Sequence, residues 1–376
     1  MDAWRTVGDV VAVGVGATVV GATLLSAVMT VVVPRGVPVR LTRWVFAFFR
    51  RVFGLRARFI DSYEERDRVM ALYAPVCLIS LPIVWLAITL VGYSGVFWGL
   101  EVRPWRAAYS VSGSSLLTLG FAESAGVARI ALEFSEATLG LILLALLITY
   151  LPSMYAAFSR REAQVAMVAN FAGQPPSAGE LIERFWVLED IDRLDADLWA
   201  TWTSWFVEID ETHTSLSALP FFRSPQADRS WITAAGVVLD SGALRASTLD
   251  LPRSPATELC IRSGYLALRN IATFFGIEHD PDPCAEDPIS VTRAEYDATC
   301  DRLAESGVPL KPDRDQAWRD FVGWRVNYDT VLITLATLVM APYAPWISDR
   351  SPRFPARRAN GGVRVRTDGP SARWGK

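Results

Sequence analysis

The residue types that most often carry out catalysis or bind metals are few and scattered in this sequence of 376 residues. Its two histidines, His213 and His279, lie far apart in the chain. The four cysteines form no CxxC pair, and they are Cys77, Cys260, Cys284 and Cys300. Neither a Ser-His-Asp or Cys-His constellation nor a zinc site is indicated. We therefore expect a protein that is not an enzyme and that binds no cofactor or metal.

Another kind of chemistry is indicated by residues 105–123, whose sequence is WRAAYSVSGSSLLTLGFAE. This segment is too short and too polar to cross a bilayer, and long apolar runs lie on both sides of it. A short helix that enters the membrane halfway, followed by extended backbone that returns, would fit this pattern. Irregular backbone is tolerated at membrane depth only where it is buried in protein or lines water. The pattern therefore indicates a pore.

Three uncharged apolar runs, residues 10–33, 69–100 and 137–159, are the elements that must position this segment. Because about 20 apolar residues make a helix that crosses the hydrocarbon core, we predict three membrane-spanning helices. The first run exceeds the roughly 7–15 residues of a cleaved signal peptide, and we interpret it as a retained anchor. Small groups lie on one face of this helix at Gly14, Thr18 and Ala22. They either favour close helix packing in lipid or are merely tolerated there.

The loop between the first two runs is rich in arginine: Arg35, Arg40, Arg43, Arg50, Arg51, Arg56, Arg58, Arg66 and Arg68. The positive-inside rule places this loop in the cytoplasm. The N-terminus and residues 101–129 then lie outside, and the chain after Arg161 lies in the cytoplasm. Large apolar residues alternate with the arginines from Trp44 to Phe53, which predicts an amphipathic helix in the inner interface, in contact with anionic lipid. We expect a multi-pass protein of the cell membrane.

The central part of the polar segment, residues 114–123, reads Ser-Ser-Leu-Leu-Thr-Leu-Gly-Phe-Ala-Glu. With the apolar runs on either side, residues 69–161 resemble the pore-loop ion channels of the potassium-channel superfamily. The filter pattern of that family is Thr-Val-Gly-Tyr-Gly followed by an acidic residue. Thr118 and Gly120 match this pattern by identity, and Leu119 and Phe121 match it by class. The resemblance implies the order outer helix, pore helix, filter and inner helix.

The resemblance also implies how an ion would be held. The carbonyls of residues 118–121 and the Thr118 hydroxyl would replace the hydration shell of the ion, which would be potassium or another monovalent cation. A homotetramer is implied, since each chain supplies one pore loop. Gly140 lies where such channels often carry a hinge glycine. We expect Glu123 and Gly140 to support the pore or its gating.

The sequence departs from the family pattern at the end of the filter. Ala122 stands where the family has its second filter glycine, a position that needs a backbone conformation disfavoured by a β-carbon. Either the protein bears that strain or the backbone after Phe121 takes another course. Phe121 also lacks the hydroxyl of the usual tyrosine. We therefore expect an outer mouth of different shape and poor discrimination between potassium and sodium.

Two glutamates, Glu133 and Glu136, lie just before the third apolar run. Ionisable groups at membrane depth are functional candidates by default. Glu136 could brace the back of the filter or line the outer cavity. The other interpretation is that both side chains lie in water at the level of the lipid headgroups.

The remainder of the chain has the pattern of a helical domain. Ser177 and Glu180 have the spacing of a helix-capping pair, and further helices are predicted over residues 188–216, 230–249, 255–275, 291–305 and 315–340. Trp199, Trp202 and Trp205 are expected in its core. The uncharged residues 330–348 are interrupted by prolines and are predicted as a buried helix rather than a fourth span. This region is similar to that of bacterial membrane proteins described only as potassium-channel-like, which implies no activity.

These patterns together predict an all-α membrane protein with three transmembrane helices, a re-entrant pore loop and a helical cytoplasmic domain. The predicted parts are residues 1–68 (anchor and basic interfacial segment), 69–162 (pore domain), 177–348 (cytoplasmic domain) and 349–376 (a disordered basic tail that can contact anionic lipid). The function expected is monovalent cation conduction through a filter at residues 118–122. The alternatives are a non-conducting receptor or scaffold with a degenerate pore loop and, third, a membrane-tethered enzyme. Nothing indicates a nucleic-acid partner.

Overall fold

The regular structure of the protein is helical throughout the ranges that its structure, a computed structural model, describes: residues 2–33, 40–60, 62–188 and 191–350. Within these ranges no strand occurs, and the one isolated β-bridge joins Leu249 to Leu310. The predicted all-α class is confirmed for this part of the chain.

Six helices occur among the described residues up to Ala172. They are α1 (Asp2–Val31), α2 (Arg40–Arg58), α3 (Tyr63–Ala71), α4 (Tyr73–Gly99), α5 (Trp105–Leu116) and α6 (Val127–Ala172). Three helical stretches are long and apolar enough to cross a membrane, namely Arg5–Val31, Tyr63–Gly99 and Val127–Ala172. They cover the three predicted runs except for residues 32, 33 and 100, and α6 extends far beyond residues 137–159 at both ends. The prediction of three apolar helices of membrane-spanning length is confirmed.

Helices α1 and α4 cross at glycines, where their backbones touch. A β-carbon on Gly16 would overlap the carbonyl oxygen of Gly92, and one on Gly99 would meet the carbonyl oxygen of Asp9. Gly14, Thr18 and Ala22, which the sequence offered as a packing face or as merely tolerated residues, are exposed. Within one chain the close approach is made by Gly16 and by the glycines of α4 instead.

Helix α2 has two different faces. Val45 is buried in a cluster that includes Leu81 and Trp85 of α4, whereas Trp44 and Phe48 are 71% and 60% exposed. A helix with arginines on one side and large exposed apolar groups on the other favours the boundary between lipid and water. The predicted amphipathic helix is therefore present. Arg35 lies outside the described residues.

The second half of the chain packs as a helical bundle. Its helices are α7 (Ala178–Val187), α8 (Ile191–Arg193), α9 (Trp199–Ser215), α10 (Trp231–Ser247), α11 (Pro255–Phe274), α12 (Arg293–Glu305), α13 (Arg314–Arg325) and α14 (Asp329–Leu338). The Ser177 side chain accepts a hydrogen bond from the Glu180 amide at 3.3 Å, as the capping pattern predicts. All three predicted core tryptophans are buried. The last turns of α6 belong to the same core through Val165, Val168 and Ala172.

The single helix predicted over residues 315–340 is wrong, because the chain breaks between α13 and α14, next to a buried ion cluster. Arg325 is completely buried and forms ion pairs with Asp240 and Asp329, the latter at 2.8 Å. Burial lowers the pKa of Arg325, but the two carboxylates outweigh it and leave the pKa raised, so the guanidinium stays charged. Such a charge is stable only when fully paired, and its partners lie on α10 and at the start of α14.

The helix after this break is too short to be a fourth span. Helix α14 has 10 residues, which is about 15 Å, and it begins beside the buried ion cluster. Its residues Leu332 and Leu335 are fully buried in the core of the bundle. This supports the predicted buried helix.

Two of the predicted boundaries differ from those in the structure. Helix α6 runs without interruption past residue 162, the predicted end of the pore domain, to Ala172, and residues 173–176 form the turn before α7. The first two residues of the predicted tail, Asp349 and Arg350, belong to a short turn, and Arg350 pairs with Glu295 at 2.6 Å. Residues 351–376 lie outside the described residues.

The exposure of the cysteines offers a direct test of the predicted orientation. Cys284 is exposed, whereas Cys77, Cys260 and Cys300 are buried. If the C-terminal half lies in the cytoplasm, a membrane-impermeant maleimide should label Cys284 in inside-out vesicles and leave it unlabelled in intact cells. Mass spectrometry of the purified protein measures the labelling.

A matched variant that carries its exposed cysteine at the start of α5 should show the opposite labelling. Arg106 is exposed at the start of α5, so Arg106→Cys in a Cys284→Ser background should be labelled in intact cells. Labelling of Cys284 from outside would contradict the orientation that the arginine-rich loop predicts.

Candidate functional site

Helix α5 lies between α4 and α6 but is too short to cross a membrane. Its 12 residues span about 18 Å. Ala108 and Val111 of α5 are buried with Tyr93 and Phe97 of α4. The Ser112 hydroxyl donates a hydrogen bond to the Leu90 carbonyl of α4 at 3.0 Å. Helix α5 is therefore fixed along its length against α4.

The C-terminal end of α5 rests directly on the backbone of α6. A β-carbon on Gly140 would overlap the carbonyl oxygen of Leu116, so only glycine allows this contact. The resemblance implied a hinge at Gly140, but α6 is an unbroken helix there. In this structure the missing side chain of Gly140 makes room for the end of α5.

The backbone after α5 leaves the helix at once and turns sharply. The Leu119 amide donates to the Ser114 carbonyl at 2.8 Å, and both Thr118 and Gly120 have positive φ, at 54° and 70°. For a β-branched residue such as threonine this conformation is a true outlier and costs on the order of 1–3 kcal/mol. Strain of this kind persists where the surroundings hold it and is concentrated at functional sites.

Four of the five residues predicted as the filter, Thr118, Leu119, Gly120 and Phe121, are exposed in the single chain, and Ala122 is partly buried. The apolar side chains of Leu119 and Phe121 are 60% and 68% exposed. Residues 118–121 thus form one exposed, non-helical strip of backbone, which we call the exposed strip. It follows a short helix whose C-terminal half is buried between α4 and α6.

Ala122 shows whether the residue at the position of the second filter glycine is strained. It does not adopt positive φ. Its amide donates to the Ser114 hydroxyl at 3.0 Å, and its side chain packs against the cluster that contains Tyr93 and Phe97. Of the two alternatives, the backbone after Phe121 therefore follows a path that avoids positive φ at Ala122. The non-glycine residue with positive φ in this segment is Thr118.

Two glutamates of α6 accept hydrogen bonds from serines that precede and follow the exposed strip. Glu133 accepts hydrogen bonds from the amide and the hydroxyl of Ser124, at 2.7 and 2.6 Å. Glu136 is fully buried, and its Oε1 accepts from the Ser112 hydroxyl at 2.5 Å. No described residue bonds to Glu136 Oε2. Glu136 is therefore buried behind α5 rather than exposed to water, whereas Glu123, two residues after the strip, is exposed.

Ser112 and Ser114 are site residues that the sequence reasoning did not single out. Each joins α5 to another part of the site, Ser112 to Glu136 and Ser114 to the Ala122 amide. The signal that could have found them was composition, because residues 110–115 of an otherwise apolar short helix contain four serines.

Comparisons with protein-family models, with curated proteins and with solved structures found no match to this chain. Among the described residues, no group of three or more His, Cys, Asp or Glu side chains could hold a metal ion. What the site can do therefore has to be argued from its own geometry.

The contact between Leu116 and Gly140 can be tested by adding one methyl group. Gly140→Ala should lower the thermal unfolding midpoint, because a backbone carbonyl must move, and overpacking of this kind costs about 1–3 kcal/mol. Differential scanning fluorimetry of the detergent-solubilised protein measures the midpoint.

Gly21→Ala provides the matched control. Gly21 lies in α1, and no atom lies within 4 Å of the position that an added β-carbon would take. Alanine there should therefore be neutral or stabilising by up to about 1 kcal/mol. If Gly140→Ala is as stable as Gly21→Ala, α5 does not rest on Gly140.

Proposed function

We propose that the chain is one subunit of a cation channel in which four copies surround an axis and residues 118–122 line the narrowest part of the pore. The observation that carries this proposal is the exposed strip, a strained and non-helical backbone next to a short buried helix between two helices of membrane-spanning length. The proposal covers ion conduction, the tetramer and the re-entrant course of residues 105–126.

The exposed strip needs a partner if it lies at membrane depth. Unsatisfied backbone amides and carbonyls cost several kcal/mol each in hydrocarbon. Other copies of the chain and an enclosed column of water would together satisfy them. Closed cyclic symmetry is the usual way in which identical chains bury the same surface.

The chemistry of the strip suits a monovalent cation. Residues 118–122 contain no charged side chain, so carbonyl dipoles and the Thr118 hydroxyl would be the ligands, and such rings replace the water around an ion such as potassium. Glu123, at the outer end, would raise the local concentration of cations. The hydrogen bonds of Glu133 and Glu136 would keep the ligands in place while ions pass.

The helical bundle is proposed as a sensor that acts on the pore through α6. Arg161 on this helix is buried, and it donates to the carbonyls of Leu219 and Phe222, both at 2.8 Å. It also pairs with Glu162 at 2.8 Å. A rearrangement of the bundle would therefore move α6 and with it Gly140, against which the end of α5 packs. We place this bundle in the cytoplasm and the N-terminus outside, from the charge pattern.

A non-conducting receptor or scaffold is the second candidate, and one observation favours it. Ala122 is held by Ser114 and packed against α4, so its carbonyl is less free to join a ring around an axis. Current recorded from purified protein in a planar bilayer distinguishes the two candidates.

Gly120→Val should abolish the current. Gly120 has positive φ, which a β-branched residue strongly disfavours, and four valines would crowd the axis. No atom lies within 4 Å of the position of an added β-carbon in the single chain, so the packing within each subunit should survive. Single-channel recording in a planar bilayer is the measurement.

Gly8→Val serves as the control for added bulk, since Gly8 also has open space but lies in α1. It should conduct like the natural protein. A Gly120→Val channel with unchanged current would exclude residues 118–122 as the filter.

The natural channel should discriminate poorly between potassium and sodium, and Ala122→Gly should improve the discrimination. Glycine would let the backbone after Phe121 enter the left-handed region at little cost and add a carbonyl ring. Ala122→Ser keeps the β-carbon and should leave selectivity unchanged. Reversal potentials under bi-ionic conditions measure all three proteins, and strong potassium selectivity in the natural protein would refute the argument.

A further inference from the structure

A cavity lies where the long apolar helices meet the helical bundle. Its volume is about 530 Å³, within the range of roughly 300–1,000 Å³ that small-molecule sites occupy. The ends of α1 and α11, the start of α4 and one face of α2 form its wall. None of the residues that line it belongs to the exposed strip, and Ser112, Ser114, Glu133 and Glu136 are not among them. We call this space the interfacial cavity.

The charge of the interfacial cavity has one sign. Arg43 and Arg50 of α2 line it, and none of its described lining residues is an aspartate or glutamate. Arg43 forms no ion pair with a described residue. Arg50 donates one hydrogen bond, to the Leu338 carbonyl at 3.3 Å. Since each guanidinium has five N–H donors, most of them remain for a ligand, and the planar fork suits a phosphate.

The rest of the lining carries a different chemistry. Four phenylalanines line the cavity, Phe46 on the same helix as the arginines and Phe221, Phe274 and Phe275 outside that helix. Helices α1, α9 and α11 also end at the cavity, and helix C-termini present carbonyl oxygens with about half a negative charge at most. The two full charges of the arginines outweigh these partial charges. The carbonyl ends favour ligand groups that donate hydrogen bonds, such as hydroxyls.

The position of the cavity selects a lipid over a soluble anion. Met29 and Thr30, in the last turn of the span α1, line it together with Tyr73, the first residue of α4. These residues mark the same end of two antiparallel helices of membrane-spanning length, the end at which α2 lies with Trp44 and Phe48 exposed. A ligand with acyl chains in the bilayer can reach this level.

We propose that the interfacial cavity binds the headgroup of an anionic glycerophospholipid, with the phosphate on Arg43 and Arg50 and headgroup hydroxyls toward the helix ends. The bound lipid joins α2 to the ends of α9 and α11 and so fastens the bundle to the membrane. This site does not depend on whether the chain conducts ions, and its test does not measure current.

The test is native mass spectrometry of the detergent-solubilised full chain, which counts bound dioleoylphosphatidylglycerol against dioleoylphosphatidylcholine. Arg43→Gln with Arg50→Gln should weaken phosphatidylglycerol binding at least about tenfold, because charge-assisted hydrogen bonds are lost. Arg51→Gln with Arg56→Gln is the matched control, since both arginines are exposed on α2 and line no part of the cavity. It should change binding less than about threefold. The unfolding midpoint of each variant reports that it is folded.

Ala47→Trp tests the cavity without removing charge. Ala47 is exposed to the cavity, and the indole should displace the lipid as effectively as the loss of both arginines. Equal loss in the two arginine doubles, or equal binding of phosphatidylcholine, would show surface attraction alone and overturn the site. Displacement of the lipid by inorganic phosphate at millimolar concentration would overturn the lipid assignment in favour of a soluble anion.

Discussion

The contact between the carbonyl of Leu116 and the backbone of Gly140 is the constraint on which the rest of the candidate site depends. It fixes where α5 ends, and α5 carries Ser112 and Ser114, which hold Glu136 and the Ala122 amide. The strained turn at Thr118 begins two residues later. A β-carbon at residue 140 would push the end of α5 away from α6. The absence of that one atom therefore determines the position of the exposed strip.

Polar side chains inside an apolar region are tolerated here because each is bonded to a second element, Glu136 through its Oε1 alone. Ser112 reaches both the Leu90 carbonyl and Glu136, and Glu133 holds the chain that returns to α6. The helical bundle applies the same rule to Arg325, which has a carboxylate on each of two helices. A buried charge is costly unless its partners are in place, and both clusters therefore also specify which helices lie together.

The sequence was sufficient for the features that local chemistry dictates. The three apolar runs, the amphipathic α2 and the helix that begins after Ser177 follow from composition, periodicity and capping, and the structure has them. It was insufficient where contacts between distant residues decide. The crossing at Gly16 and Gly92, the pairing of Ser112 with Glu136 and the break between α13 and α14 depend on residues that local patterns do not connect. For the same reason the sequence left open whether Ala122 is strained, and it gave no sign of the positive φ at Thr118.

Helix α6 also has mechanical properties that follow from its length and from one proline. Its 46 residues measure about 69 Å, and the end of α5 bears on it at Gly140, about 20 Å from the Val127 end. A tilt about that point therefore displaces the Ala172 end more than twice as far as the Val127 end. Pro152 lacks the amide that would continue the helical ladder, which makes it the least stiff point of the longer arm. Large movements at Ala172 are thus reduced in amplitude, and partly absorbed by bending at Pro152, before they reach Glu133 and Glu136.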